Sequence, residues 1–239
     1  MIGIIDAGNT RVKAAIFDNH QIVKHAVYKG FEPEIGQFFS SANIKKIMVC
    51  SVVELPTFIT SNSQFQITVF TPSHKIPIGN LYDSPQSLGL DRLSNAVGAF
   101  TVNGNKGPVL SIDLGTCIKF DFVDAKGNFI GGSISPGLKM RLKALNYYTQ
   151  KLPLIKVYQI PPIVGTSSNE SIASGVVNGI ITEVDGMIKY YKQQFPSIKV
   201  FLTGGDAPFF FDSLKNNIFA FPLLTCHGLN AIAQLNGIN

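Results

Sequence analysis

The sequence predicts an α/β protein built from two similar halves, 1–105 and 106–239, each a mixed β-sheet with flanking helices. Three observations predict it. One phrase is written twice, as MIGIIDAGNT over Met1–Thr10 and as VLSIDLGT over Val109–Thr116. In each copy a β-branched apolar run delivers one Asp, then a Gly and a Thr. Each copy is followed by two more short strands in a meander, and then by alternating helices and strands. A further apolar strand, Val200–Leu202, runs into Thr203-Gly204-Gly205-Asp206. Two Asp-x-Gly turns and a late Gly-Gly turn at strand ends suit a nucleotide polyphosphate. The strand fixes the Asp, Gly lets backbone N–H groups approach anionic oxygens, and Thr adds a hydroxyl donor.

In the first half, Gly3–Ile5, Arg11–Phe17 and Ile22–Val27 read as the three meander strands, the first ending at the Asp6 turn. A helix over Glu34–Ser40, a strand over Ile47–Cys50, a helical stretch after Glu54 and a strand over Gln66–Phe70 follow. Pro72–Pro85 is rich in turn residues, and Pro85–Phe100 carries helical apolar spacing through Leu93, Val97 and Phe100. The second half restarts with strands over Val109–Ile112, Cys117–Val123 and Phe129–Ile134. A helix runs from Pro136-Gly137 through Tyr148, Pro153–Pro162 is an irregular crossover, and Ser168–Phe195 is a long helix with possible breaks at Gly175 or Gly179. The Val200 strand, a helix after Asp206 and a C-terminal helix over Leu223–Leu235 complete the chain.

Composition narrows the class. With 45% hydrophobic residues and 15% charged, the 239-residue chain can bury a large core and is not a disordered polymer. The net charge of +5 is scattered, with no basic run beyond Lys45-Lys46, so a nucleic-acid groove is the minor reading and attraction of anionic substrates the major one. Cys50, Cys117 and Cys226 lie far apart among apolar residues and read as buried thiols in a reducing compartment. No Cys/His spacing suits zinc, no leader precedes the first strand, and no apolar run spans a bilayer, so the expectation is a soluble cytoplasmic protein without membrane or nucleic-acid partners.

The first candidate site is Asp6, Gly8, Asn9, Thr10 and Lys13. Asp6 can hold Mg²⁺ directly or through water, while the turn backbone and the Lys13 ammonium meet phosphate oxygens. An ordinary hairpin turn would use similar residues, but the echo at Asp113, Gly115 and Thr116 favours nucleotide. The second is Gly89-Leu90-Asp91-Arg92 at a helix start, after a loop holding Tyr82. Asp91 there can take a proton from a substrate hydroxyl, and Arg92 can hold an anionic group. The plainer alternative is a helix-start Asp beside a solvated Arg. Gly131-Gly132 and Ser135-Pro136-Gly137 read as a mixture of close ligand approach and sheet bulge.

These residues resemble the type III pantothenate kinases of the acetate and sugar kinase and actin superfamily. The resemblance runs through Asp6-Ala7-Gly8-Asn9-Thr10 with Lys13, Tyr82, Gly89-Leu90-Asp91-Arg92, Asp113-Leu114-Gly115-Thr116, Gly131 to Gly137, and Thr203-Gly204-Gly205. It implies ribonuclease H-like, actin-like halves with the active site in the cleft between them, and phosphorylation of pantothenate by ATP with Mg²⁺ and a monovalent cation. By resemblance, Asp6, Ala7, Gly8, Asn9, Thr10, Arg11, Val12 and Lys13 wrap the ATP phosphates, with Thr116 adding a contact. Tyr82, Gly89, Leu90, Asp91 and Arg92 bind pantothenate, and Asp91 is the general base. Asp6 serves Mg²⁺, and Asp113 falls where the family coordinates K⁺ or NH₄⁺. Ser168 aligns with a Thr that reaches pantothenate from a neighbouring subunit, which implies a homodimer. The chain departs from the family at Lys119, where Thr is typical. A Lys119 turned toward Asp113 would replace part of the cation's charge; one turned to solvent or an interface would not. Another small-molecule kinase, or a nucleotide-binding regulatory protein without turnover, shares the same turns.

Overall fold

The computed structural model describes residues 1–60 and 64–238. Its elements in chain order are β1 (Ile2–Ala7), β2 (Val12–Asp18), β3 (Gln21–Tyr28), α1 (Glu34–Ser40), β4 (Lys46–Ser51), α2 (Thr57–Thr60), β5 (Gln66–Val69), β6 (Gly79–Asn80), a 3₁₀ turn (Pro85–Ser87) and α3 (Leu90–Val102). Then come β7 (Val109–Leu114), β8 (Cys117–Val123), β9 (Asn128–Pro136), α4 (Leu138–Tyr147), α5 (Ser168–Gln194), β10 (Lys199–Thr203), α6 (Ala207–Phe210), a 3₁₀ turn (Phe211–Ser213), β11 (Phe219–Ala220) and α7 (Leu224–Leu235). One sheet has the order β3-β2-β1-β4-β5 and the other β11-β10-β7-β8-β9-β6. Both halves thus carry the predicted meander. The two-residue strands β6 and β11 were not foreseen, being too short to show an alternation.

By contacts the chain groups into two compact units. Unit 1 comprises Met1–Val109, Asp121–Gly131 and Leu223–Asn239, and unit 2 comprises Leu110–Phe120 and Gly132–Pro222. In unit 1, β1 pairs antiparallel with β2 and parallel with β4. Ile2, Ile4, Ile5 and Ala7 of β1 are all buried, so the strand is covered on both faces, as its unbroken apolar run requires. One face packs Ile5, Val12, Ala14, Ile16 and Val49 against Ile35, Phe38 and Phe39 of α1. In the same unit α3 and α7 pack closely. A Cβ on Gly98 would run into the Leu224 carbonyl, and one on Gly228 into the Ser94 carbonyl, so glycine at both positions permits backbone contact between the helices.

His227 of α7 sits edge-on to Phe17, with ring centroids 5.2 Å apart, and burial lowers its pKa from the usual 6.5. The fold therefore favours the neutral ring. The stability this contributes is full above the unfolded value and is lost as pH falls through and below it, because the unfolded chain then binds the extra proton. Urea midpoints should fall between pH 7 and pH 5, and His227→Gln should flatten that slope; an unchanged slope in the variant would assign the loss to other groups.

In unit 2, α5 is continuous, and no break occurs at Gly175 or Gly179. Ser167 caps it by accepting the Glu170 N–H at 3.3 Å, while the Glu170 carboxylate reaches back to the Thr166 N–H at 2.8 Å. Ile172, Val176, Val177, Ile180, Val184 and Ile188 form one buried stripe, which outweighs the local cost of the glycines. The Pro153–Pro162 crossover has no regular structure, as expected. Of the Phe209-Phe210-Phe211 run, Phe210 enters the core and Phe211 stays exposed. No helix among the described residues is long and apolar enough to cross a membrane.

Candidate active site

Asp6 stands at the end of β1, one residue before the strand gives way to the turn, and its register partner on β2 is Lys13. The Lys13 ammonium lies 3.8 Å from the Asp6 carboxylate, and both side chains are largely shielded. The Gly8 N–H donates to the Arg11 carbonyl at 3.0 Å and closes the turn, leaving Asn9, Thr10 and Arg11 exposed. Ala7 and Val12 are buried, so any ligand contact from them is made by backbone. Within one hairpin, a carboxylate and an ammonium thus sit side by side.

On the parallel neighbour β4, Cys50 is the register partner of Asp6. Burial pushes its thiol pKa up, the charges of Asp6 and Asp91 push it further, and a hydrogen bond with Ser94 works in the opposite sense. Cys226 of α7 is shifted the same way by burial and then by Asp6. Both thiols stay protonated and serve as small apolar filler, as the sequence predicts. Cys117, the third, is only partly buried. The Asp6 turn and the first turn of α3, which carries Asp91, both belong to unit 1, where α3 packs on β4, the strand that holds the register partner of Asp6.

Gly89 precedes α3 and Asp91 occupies its first turn, where the positive end of the helix favours a carboxylate. A Cβ on Gly89 would stand 2.7 Å from Asp91 Oδ1, so glycine keeps room for that carboxylate. Arg92, in contrast to the solvated arginine of the plainer reading, is only 6% exposed. Its Nε donates to Asp121 Oδ1 at 2.8 Å, and one terminal nitrogen approaches the same oxygen at 2.6 Å. Tyr82 and Phe129 flank the guanidinium, with centroids 5.7 and 5.9 Å away. Burial alone would lower the Arg92 pKa; the charge and hydrogen bonding of Asp121, with help from Tyr82, hold it above its usual value. Gly131, at φ +139°, admits the Tyr82 ring, which a Cβ there would meet at 3.4 Å. Asp121 is the residue that sequence reasoning missed. Its signal was present, since it is a carboxylate set between two phenylalanines, Phe120 and Phe122, both of which are buried.

In unit 2, the Asp113 turn is closed by the Gly115 N–H donating to the Cys117 carbonyl at 3.1 Å. Two glycine turns pack on it through backbone. A Cβ on Gly137 would collide with the carbonyls of Gly115 and Thr116, and one on Gly204, at φ +104°, with that of Leu114. The Gly137 N–H donates to Thr116 at 3.1 Å and the Asp206 N–H to Leu114 at 2.8 Å. The Ser-Pro-Gly and Gly-Gly segments therefore buttress the Asp113 turn. Arg141 donates to the Pro136 carbonyl at 2.7 Å and pairs with Glu183, which also accepts from Ser135, fastening the end of β9 to α4 and α5. Lys119 turns toward Asp113, with Nζ 2.7 Å from Oδ2. Ser168 is the exposed first residue of α5. Among the described residues no three His, Cys, Asp or Glu side chains gather as a metal cluster.

Two mixed sheets with paired Asp-Gly turns define the class: the actin-like ATPase and sugar kinase fold. A conserved Baf-family protein of Campylobacter jejuni superposes with a TM-score of 0.64 at 20% identity, covering 98% of each chain. The activator of the 2-hydroxyisocaproyl-CoA dehydratase from Clostridium difficile with bound ADPNP gives 0.52 at 15% identity, covering 98% of this chain and 94% of that one. The family model of type III pantothenate kinase matches residues 4–190. The type III pantothenate kinase of Flavobacterium johnsoniae is 41% identical over 225 residues, 92% of each chain. The chain belongs to the type III pantothenate kinase family.

Proposed function

We propose that this protein transfers the γ-phosphoryl group of ATP to the primary hydroxyl of pantothenate, giving 4′-phosphopantothenate and ADP, the first step of coenzyme A biosynthesis. The observation that carries this reading is that, in a chain of this family, unit 1 holds the Asp6 and Lys13 hairpin, the carboxylate of Asp91 in the first turn of α3, and the buried guanidinium of Arg92 paired with Asp121.

The hydroxyl oxygen of pantothenate forms a bond to the γ-phosphorus as the bond from that phosphorus to the β-bridging oxygen breaks, and ADP departs. The transition state is loose, so alignment supplies most of the rate, and the hydroxyl proton passes late to Asp91. Arg92, oriented by Asp121 and flanked by Tyr82 and Phe129, presents a fixed positive charge to the pantothenate carboxylate. Asp6 is a hard oxygen donor beside the phosphate turn and would hold Mg²⁺, which when bound offsets charge on the phosphate oxygens. A lone carboxylate suits this ion, because Mg²⁺ is commonly bound by one or two carboxylates plus substrate phosphates. Lys13 and the backbone from Ala7 to Val12 meet the phosphates, and Thr116 contributes its hydroxyl. Ser168, exposed at the start of α5, is assigned to the pantothenate of a second copy in a homodimer. The sequence halves 1–105 and 106–239 are read as copies of one duplicated unit, and the cytoplasm as the place of action.

The test is a panel of hydroxyl acceptors assayed by ADP release with Mg²⁺-ATP. Pantothenate should show the highest kcat/KM; a sugar or short hydroxy acid in first place would reassign the acceptor.

A further inference from the structure

Asp113 lies at the end of β7 in unit 2, where the twin turn of unit 1 has Asp6. Each carboxylate faces a lysine from the next strand: Lys13 stands 3.8 Å from Asp6, and Lys119 stands 2.7 Å from Asp113. The second separation is that of a charge-assisted hydrogen bond, and the first is not. Both side chains of the closer pair are mostly shielded, 15% exposed for Lys119 and 18% for Asp113. The other carboxylate oxygen, Oδ1, lies against backbone, 3.5 Å from where a Cβ on Gly115 would be and closer still to one on Gly204. A free cation seeking Oδ2 would have to displace a tethered ammonium. The residues present therefore do not fit a monovalent-cation site at Asp113.

We infer that Lys119 is a built-in replacement for the monovalent cation: its ammonium supplies at Asp113 the positive charge that K⁺ or NH₄⁺ would bring, so that catalysis and folding are indifferent to these ions. The inference rests on the kinase reading only for its activity arm. A shielded carboxylate beside a turn proposed to meet phosphate would repel the nucleotide unless neutralised. A tethered cation does this at every salt composition, without the entropic cost of capturing a free ion.

The experiment uses the full-length protein in KCl, NH₄Cl, NaCl and choline chloride at equal ionic strength, reading thermal midpoint, Mg²⁺-ATP affinity and pantothenate-dependent turnover. The wild type should vary by no more than about twofold in affinity and turnover across the four salts, with equal midpoints, because its countercharge is covalent. Lys119→Thr opens the position and adds a hydroxyl oxygen; it should lose roughly tenfold or more in ATP affinity in choline and regain most of it in K⁺ or NH₄⁺. Its midpoint should rise with those ions as well. A wild type that needs K⁺ or NH₄⁺, or whose midpoint rises with them, overturns the inference, and so does a Lys119→Thr protein as indifferent as the wild type. If that variant does not fold, the wild-type series decides alone. A wild type inactive in every salt would count against the kinase reading, while its midpoint and ATP-affinity series would still decide the role of Lys119.

Discussion

Asp91→Asn is expected to lower kcat by about 10²- to 10⁴-fold, the range that general-base assistance contributes. The change keeps the shape of the side chain and an acceptor oxygen in the first turn of α3, but removes the negative charge and the proton-accepting capacity. Asp91 sits half-buried at the positive end of that helix, in a space left open by Gly89. Folding should therefore survive, and Mg²⁺-ATP affinity, which the proposed function assigns to the Asp6 and Lys13 turn, should stay within about threefold. Stopped-flow or coupled measurement of ADP release under saturating pantothenate reads the effect. Turnover equal to wild type in a preparation free of contaminating kinase would remove Asp91 from the reaction.

The second large effect belongs to Asp121. Asp121→Ala leaves the Arg92 guanidinium buried without its carboxylate, and breaking one side of such a pair costs about 3–5 kcal/mol. Against a total stability of roughly 5–15 kcal/mol, this is enough to unfold a large part of the population in mild denaturant. Asp121→Asn, which keeps the accepting oxygen, should lose about 1–3 kcal/mol. The double variant Arg92→Met with Asp121→Leu separates structure from function. Replacing both charges by apolar groups should restore most of the stability, while the pantothenate KM should remain strongly raised. Urea unfolding followed by circular dichroism, together with the KM values, distinguishes the two roles. A double variant with normal KM would make the pair purely structural.

Much of the fold is legible in the sequence. The β8 boundaries, Cys117–Val123, follow from the alternation of Ile118, Phe120 and Phe122, and α1 from Glu34 to Ser40. The doubled Asp-x-Gly phrase located both turns because a strand end, a carboxylate and a glycine form a local pattern. What depended on distant partners was not legible. Asp121 is 29 positions from Arg92, and neither residue's neighbourhood names the other. The helix α7 belongs by contacts with unit 1, and the Gly98 and Gly228 approach, made across the chain, is one of the contacts that show why. Gly137 reads as a mixture of ligand approach and sheet bulge and Gly204 as part of a nucleotide turn, and each is required where backbone packs on the Asp113 turn. Glycine signals close approach without saying to what. The partner of Lys119 likewise needed the fold, since the alternation puts it on the face opposite Ile118 and Phe120 without naming what lies there.

This chain is expected to move a phosphoryl group from ATP to pantothenate. The most direct measurement is ADP release from purified protein with Mg²⁺-ATP and pantothenate, with the organic product identified by mass in the same reaction. One 4′-phosphopantothenate should form for each ADP, with no ADP above background when pantothenate is left out. Folded protein that binds ATP yet releases no ADP with pantothenate, or releases ADP without phosphorylating it, would rule out a pantothenate kinase.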